Sequence, residues 1–126
     1  MLRKGPIPRM VHGVWEYAIG ALLVASQFVF GFDDAGAKAV SVVAGVLVIT
    51  LVASTAGPTG LIDQVQVRTH ATIDFIVAGL LIASPFLFGF ADDGATAVFL
   101  VLGLAHLLVS IGTRYVPARA EAAGPA

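Results

Sequence analysis

The feature that most constrains this chain is a repeat within its own sequence. At an offset of 58 residues an ungapped alignment places His70 over His12, and 16 of the 36 positions aligned from His12 to Leu47 are identical. The identities include glycine, aspartate, serine and histidine as well as aliphatic residues, which two unrelated hydrophobic segments would not share in register. Self-similarity at a fixed offset indicates a structural unit that is repeated along the chain. The fold must therefore accommodate two copies of one unit.

Each copy consists of two apolar segments joined by a short connection. Hydrophobic residues make up 58% of the chain and charged residues 12%, which is outside the usage of soluble globular proteins. The predicted helices cover residues 13–30, 35–54, 71–88 and 94–112, and segments of this length reach about 27–30 Å, enough to cross a hydrocarbon core. The sequence thus predicts an all-α polytopic membrane protein of four transmembrane helices.

These helices are predicted to form two tandem helical hairpins within a single transmembrane domain that comprises residues 1–126. The first repeat covers residues 12–55 and the second residues 70–112, and a tail over 117–126 is expected to fray. Each repeat crosses the membrane twice, so both point the same way about a pseudo-twofold axis along the membrane normal. Recurrence of the first segment in mid-chain favours a retained anchor over a cleaved signal peptide.

The connection within each hairpin reads GFDDAGA in the first repeat and GFADDGA in the second. Gly31 and Gly89 are suited to a helix C-terminus, because glycine adopts the left-handed conformation without steric cost. Asp34 and Asp93 are predicted to be the N-caps of the helices that follow.

Charge is distributed unevenly between the two ends of the predicted bundle. One end carries six of the seven cationic residues, and Lys38 alone lies at the other; the six are Arg3, Lys4, Arg9, Arg68, Arg114 and Arg119. The positive-inside rule places that end, with both termini, in the cytoplasm. The net charge of −1 leaves no basic surface for nucleic acid. The absence of cysteine excludes disulfides, thiolate metal sites and covalent haem attachment.

The outer end of the first helix in each repeat carries the string S-x-F-x-F-G-F, at residues 26–32 and 84–90. It resembles the SPW repeat family of bacterial and archaeal membrane proteins, in which Ser-Pro-Trp and a following Gly-Phe occur in a two-helix unit. The resemblance covers residues 12–112 and rests on Ser26, Phe28, Gly31, Phe32, Ser84, Pro85, Phe86, Gly89 and Phe90. It implies a multi-pass protein of a prokaryotic cytoplasmic (inner) membrane and no established activity.

This chain departs from the family motif in two ways. Gln27 stands in place of the proline in the first repeat, and Phe28 and Phe86 stand in place of the tryptophan. Pro85 is expected either to kink or to end the third helix, because proline removes a backbone hydrogen bond and clashes with the preceding turn. The phenylalanines after it alternate along the sequence, so some should face lipid and others the bundle.

Ionisable residues recur near the cytoplasmic end of both repeats. Glu16 follows His12 by four residues and Asp74 follows His70 by four, so each pair shares one helical face. Intramembrane carboxylates are costly and should face the bundle interior. Folding each hairpin about its turn brings Asp74 near His106 and Glu16 near Thr50. The candidate polar site residues are therefore His12, Glu16, Thr50, His70, Asp74 and His106.

Three roles are open for these residues: hydrogen bonding between helices, which is favoured, a proton relay, or metal ligation. Paired haem ligation is disfavoured, because His70 and His106 differ in depth by about 10 Å at the helical rise. No catalytic triad, phosphate loop or H-E-x-x-H motif occurs. No metal and no cofactor is therefore expected, and an enzyme is not expected.

The favoured function is structural: a compact bundle that self-associates as a homo-oligomer in the lipid bilayer or joins a larger membrane complex as an accessory subunit. Small residues provide surfaces for close helix packing, at Ala21, Ala25, Gly79 and Ala83 and at Ala37, Ser41 and Gly45. The alternative is an oligomeric proton or small-solute channel or transporter that uses Glu16, Asp74 and His106.

Overall fold

The computed structural model describes residues 5–113 and is all-helical over that range. Its four helices are α1 (Arg9–Val29), α2 (Ala35–Ala53), α3 (Val67–Leu87) and α4 (Asp93–Gly112). The helical fold class is confirmed, and no β-strand is present among these residues. The predicted tail over 117–126 lies outside the described residues.

Three of the four helices, α2, α3 and α4, are long and apolar enough to cross a membrane. Helix α1 has the length but is not among the candidate spans of residues 5–113. Of the four predicted spans, three therefore have the length and hydropathy that a span requires. The cause is a concentration of polar and amphipathic side chains that lowers the mean hydropathy of α1, namely His12, Trp15, Glu16, Tyr17 and Gln27.

The two hairpin turns are built alike. Gly31 and Gly89 have φ values of 63° and 57°, in the left-handed region that favours glycine. The amide of Phe32 donates to the carbonyl of Gln27 at 3.2 Å, which closes the end of α1 in a Schellman arrangement. The same 58-residue offset relates this bond to the one from Phe90 to Pro85, at 2.9 Å.

Aspartates cap the second helix of each hairpin. Asp34 accepts a hydrogen bond from the amide of Ala37 at 2.8 Å, as predicted. In the second repeat the cap is Asp92, which accepts from the amide of Ala95 at 3.1 Å. The prediction of Asp93 was wrong by one residue, because the 58-residue offset equates Asp34 with Asp92.

Helices pack mainly within each hairpin. The closest approach joins α1 to α2 at Gly20 and Gly45, where a Cβ on Gly45 would lie 2.5 Å from the carbonyl oxygen of Gly20. Ser41 and Gly45 are buried, as predicted for α2. The predicted packing surface at Ala21 and Gly79 was wrong, because both residues are exposed. In α1 the close contact is made by the adjacent residue, Gly20.

The middle of the bundle is filled by apolar side chains from all four helices. Buried members include Ile19, Leu23, Val48, Leu81 and Phe99. This layer separates the turns of the two hairpins from the opposite end, where the ionisable residues lie. The core therefore contains a closed apolar layer between two polar ends.

The repeat motif divides between interior and exterior. Ser26 and Ser84 are buried and donate to the carbonyls one turn earlier. Phe28 and Phe86, at the tryptophan position of the motif, are 81% and 71% exposed, whereas Phe32 is buried. Helix α3 continues through Pro85 to Leu87, so the proline does not end it at that point.

Candidate functional site

Four ionisable side chains form a compact cluster at the end of the bundle opposite the hairpin turns. His12 and Glu16 belong to the first two turns of α1, and His70 and Asp74 to those of α3. None is more than 5% exposed. Within each helix the predicted proximity is present: His12 Nε2 lies 3.5 Å from Glu16 Oε2, and His70 Nε2 lies 3.2 Å from Asp74 Oδ2.

The shortest contacts in the cluster join the two repeats to each other. His12 Nε2 lies 2.9 Å from Asp74 Oδ2, and His70 Nε2 lies 2.9 Å from Glu16 Oε1. The 58-residue offset interconverts these two contacts. Each imidazole therefore faces two carboxylates, one from its own helix and a closer one from the other repeat.

The partner predicted for Glu16 within its own hairpin was wrong. Thr50 is exposed on α2 and does not contact the cluster. The threonine that does is Thr55, just beyond the end of α2, and its counterpart in the second repeat is Thr113, just beyond α4. Sequence reasoning missed both, although the offset that aligns His12 with His70 also aligns Thr55 with Thr113.

The two threonines orient the two imidazoles. Thr55 Oγ1 lies 2.6 Å from His70 Nδ1 and donates its single proton to the carbonyl of Leu51, also at 2.6 Å. Thr113 Oγ1 likewise lies 2.6 Å from His12 Nδ1 and donates to the carbonyl of Val109. Because each hydroxyl proton is already donated, each imidazole must donate from Nδ1. Both Nε2 atoms are thereby directed at the carboxylates.

A third histidine adjoins the cluster on one side only. His106 Nε2 lies 3.7 Å from Asp74 Oδ1, which is the predicted neighbour but beyond hydrogen-bonding distance. Its Nδ1 accepts a hydrogen bond from the indole of Trp15 at 3.1 Å. The neutral ring therefore carries its proton on Nε2, facing Asp74. Positions equivalent to His106 and Trp15 hold Val48 and Ile73, so this pair breaks the pseudo-symmetry.

The connection between α2 and α3 covers the first-repeat side of the cluster. Tyr17 donates to the carbonyl of Thr59 at 2.8 Å, and Arg9 donates to the carbonyl of Ala56. Beneath this connection a cavity of about 30 Å³ borders His12, Glu16 and other cluster residues. A volume of this size accommodates a water molecule or a single ion.

One potential ligand atom from each of His12, Glu16, His70 and Asp74 lies within 4.8 Å of the others. Imidazole nitrogen and carboxylate oxygen are common ligands of divalent transition metals in proteins. Chemically, the cluster can therefore hold protons, bind a cation or join the helices. None of its four members is a serine, threonine, cysteine or lysine.

Reciprocal contacts between repeats also occur at the hairpin turns. Asp34 Oδ2 accepts from the amide of Ala91 at 3.1 Å, and Asp92 Oδ2 accepts from the amide of Asp33 at 2.9 Å. The hydrogen bond from Ala91, with that from Ala37, lowers the pKa of Asp34 below its ordinary value. For Asp92 the amides of Asp33 and Ala95 lower the pKa.

Together these features define a class: a small helical membrane protein in which two hairpin repeats are joined by polar contacts at both ends. The SPW repeat domain model matches residues 10–113. The chain therefore belongs to the SPW repeat family, as the motif at residues 26–32 and 84–90 indicated. No curated protein matches the chain, and no solved structure matches it.

Proposed function

We propose that this protein is a structural or interaction component of a prokaryotic cytoplasmic membrane, without catalytic activity of its own. All four helices lie in the bilayer, with both termini on the cytoplasmic side. The bundle self-associates, and docking to a larger membrane complex as an accessory subunit is the alternative form of the same role. Three apolar helices and membership of the SPW repeat family support the membrane location.

Inclusion of α1 among the membrane helices is supported by the direction of its side chains. Its ionisable residues His12 and Glu16 are buried against α3, whereas Val11, Val14 and Phe28 are exposed on the outside. The mean hydropathy of α1 averages over these two faces and so does not reveal the difference between them. The surface that α1 would present to lipid is apolar, and its polar groups are paired inside the protein, as the bilayer requires.

The observation that carries the structural role is the closed apolar layer in the middle of the bundle. Ile19, Leu23, Leu81 and Phe99 are each at most 2% exposed and pack in one cluster. Glu16, Asp74 and His106 lie on one side of this layer, and no described ionisable residue lies within it. A proton or solute path through one bundle would have to cross close-packed hydrocarbon, which opposes the transport alternative.

Two apolar grooves on the outer surface offer sites for helix packing between copies. One, of about 300 Å³, lies between α2 and α3 and includes Val43 and Leu80. The other, of about 250 Å³, includes Val101 on α4 and Phe30 at the end of α1. The repeat offset relates Val43 to Val101. Both grooves are open, so a helix of a second copy can enter them.

Native mass spectrometry of the protein, extracted gently from its own membrane, tests the proposal. The wild type should appear as a defined homo-oligomer, and Val43→Trp combined with Val101→Trp should reduce it to the monomer by filling both grooves. Val46→Trp with Leu104→Trp is the matched control, because these residues are exposed, related by the same offset and outside the grooves. Copurification with a larger membrane complex would support the accessory form.

A strictly monomeric wild type without a partner would refute the structural role. Flux measurements in proteoliposomes test transport directly. Proton or cation flux that is present in the wild type and lost in Asp74→Asn would refute our proposal in favour of the channel hypothesis. Membrane orientation can be tested separately, because the chain has no cysteine. An impermeant maleimide applied to intact cells should label Asp93→Cys at the hairpin turn, but label Leu61→Cys only after lysis.

A further inference from the structure

We infer that His12, Glu16, His70 and Asp74 form a binding site for one divalent transition-metal ion, with Zn²⁺ as the representative. This inference differs from the sequence-based expectation that no metal is bound. It concerns a ligand of the cluster and does not depend on the proposed self-association, which rests on the outer grooves.

The first argument is the placement of the donor atoms. Four contacts join each histidine Nε2 to one oxygen of each carboxylate, at 2.8, 2.9, 3.2 and 3.5 Å. Tetrahedral zinc, with bonds of about 2.0–2.1 Å to nitrogen and oxygen, holds neighbouring donors roughly 3.3 Å apart. Four of the six donor separations are therefore close to those of a tetrahedral N₂O₂ site, and all four donors lie within 4.8 Å of one another, so an ion would draw the remaining pairs together.

The second argument is the orientation of the imidazoles. Thr55 and Thr113 hold each histidine through Nδ1, so the Nε2 lone pair of each neutral ring points toward the centre of the cluster. Histidine ligands of metals are commonly fixed in this way, by a hydrogen bond from the nitrogen that does not bind the metal. This outer shell is formed twice, by equivalent residues of the two repeats.

The third argument is charge. Two buried carboxylates and two inward-directed lone pairs repel one another unless positive charge lies between them. One divalent cation bound to two neutral imidazoles neutralises both carboxylates. The cavity of about 30 Å³ that borders His12, Glu16 and His70 provides space beside the donors and an approach beneath the connection between α2 and α3.

Catalysis at an open metal position does not follow from this arrangement of donors. Four side chains from α1 and α3 supply four donors, which is the coordination number of structural zinc sites. Each repeat contributes one histidine and one carboxylate. The bound ion would therefore act as a cross-link between the two hairpins, and neither repeat could bind it alone.

Metal analysis of the full-length protein in detergent provides the test. Protein stripped with a chelator and dialysed against Zn²⁺ should retain one ion per chain. Co²⁺ in place of Zn²⁺ should give the intense visible absorption of a tetrahedral site. A wild type that retains no ion above a buffer control, or a weak octahedral Co²⁺ spectrum, would overturn the inference and leave protons on the two imidazoles as the source of positive charge.

Conservative variants then assign the ligands. Glu16→Gln and Asp74→Asn keep the side-chain size but replace the anionic donor, and each should abolish stoichiometric binding. Asp93→Asn removes an equivalent charge from the exposed end of α4 and should bind as the wild type does. Thr55→Val should weaken affinity about 10- to 100-fold, the usual effect of losing an outer-shell partner.

Unchanged affinity in both Glu16→Gln and Asp74→Asn would also overturn the inference, because the ion would then lie elsewhere. Helical circular dichroism establishes that each variant is folded before its affinity is measured. If a variant does not fold, the wild-type stoichiometry and the Co²⁺ spectrum still decide the question, since neither measurement uses a substitution.

Discussion

His12 Nε2 lies 2.9 Å from Asp74 Oδ2, although 62 positions separate these residues in the sequence. The equivalent contact joins His70 to Glu16 at the same distance. Each repeat thus supplies one base and one acid to the other, and these contacts are shorter than those within each helix. Because unpaired charges are costly in a membrane interior, this exchange explains how two similar hairpins specify each other as partners.

Removal of one member of this pair should destabilise the bundle strongly. Asp74→Ala leaves His12 without its closest anion, and loss of one partner from a buried ion pair costs about 3–5 kcal/mol. The free energy of unfolding in detergent should fall accordingly for Asp74→Ala and for His12→Ala. The double variant should lose less than the sum of the two, because the second change removes a group that the first has already left uncompensated.

Asp93→Asn is the control for this cycle. Asp93 is exposed and is the first residue of α4, at the hairpin-turn end of the bundle, opposite the cluster. The free energy of unfolding of this variant should stay close to that of the wild type. Additive losses for His12→Ala and Asp74→Ala would contradict the pairing between the repeats.

The hydroxyls of Thr55 and Thr113, which orient the two imidazoles, should also contribute to the stability of the folded protein. Thr113→Val is close to isosteric but leaves the Nδ1 proton of His12 without an acceptor, and a buried unsatisfied donor costs about 1–3 kcal/mol. Thr113→Ser keeps the hydroxyl and should lose less. Thr50→Val, on the exposed face of α2, should have little effect. Equal thermal midpoints for Thr113→Val and Thr50→Val would show that the hydroxyl does not orient the ring.

The repeat, the hairpins and the motif could be predicted from the sequence. Each depends on residues close together in the chain or on the alignment of the chain with itself at an offset of 58. The sequence also identified His12, Glu16, His70 and Asp74 as polar residues of the interior. The proximity of His106 to Asp74 was predicted, but the contacts between the repeats were missed and Glu16 was given the wrong partner, because pairing was assumed within each hairpin. The relative placement of α1 and α3 depends on tertiary packing, which no spacing along one helix encodes.

Thr55 and Thr113 were missed for a related reason. They lie just beyond the apolar segments, where sequence identity between the repeats is lower and a threonine is easily taken as a loop residue. The contact of Trp15 with His106 was not predicted, because a tryptophan near the membrane boundary is typically an interfacial aromatic. Their hydrogen bond depends on the packing of α4 against α1, since the two residues are 91 positions apart in sequence.

Close packing of α1 on α2 should make substitution of Gly45 destabilising, whereas substitution of Gly79 in α3 should not be. Gly45→Ala places a methyl group 2.5 Å from the backbone oxygen of Gly20, so the helices must separate, at a cost of about 1–3 kcal/mol. Gly79→Ala meets no atom within 4 Å and should instead stabilise α3 by roughly 0.5–1 kcal/mol. Thermal unfolding in one detergent compares the two directly, and a stabilised Gly45→Ala would contradict the close approach.

The hairpin turns should give the protein an acid-sensitive contribution to stability. Hydrogen bonds from Ala91 and Ala37 lower the pKa of Asp34, so the folded state favours its ionised form. That stabilisation is complete above the pKa of the unfolded chain and is lost as the pH falls through the lower, folded pKa. Asp34→Asn should therefore unfold at a lower temperature than the wild type at pH 7, and the difference should close at acidic pH.

Asp93→Asn is again the control, because Asp93 is exposed and the N-cap of α4 is Asp92. Its difference from the wild type should be small at every pH. A gap between Asp34→Asn and the wild type that stays constant down to pH 3 would refute the assignment of this contribution to Asp34.

Fluorescence can decide whether α1 lies in the bilayer. Trp15 is the single tryptophan, so Phe28→Trp in a Trp15→Phe background places one fluorophore at the most exposed motif position of α1. Brominated lipid chains should quench it strongly, because a lipid-facing indole contacts the acyl region. Phe99→Trp in the same background is shielded by the core and should be quenched less. Quenching of Phe28→Trp by aqueous acrylamide but not by brominated lipid would place α1 outside the membrane.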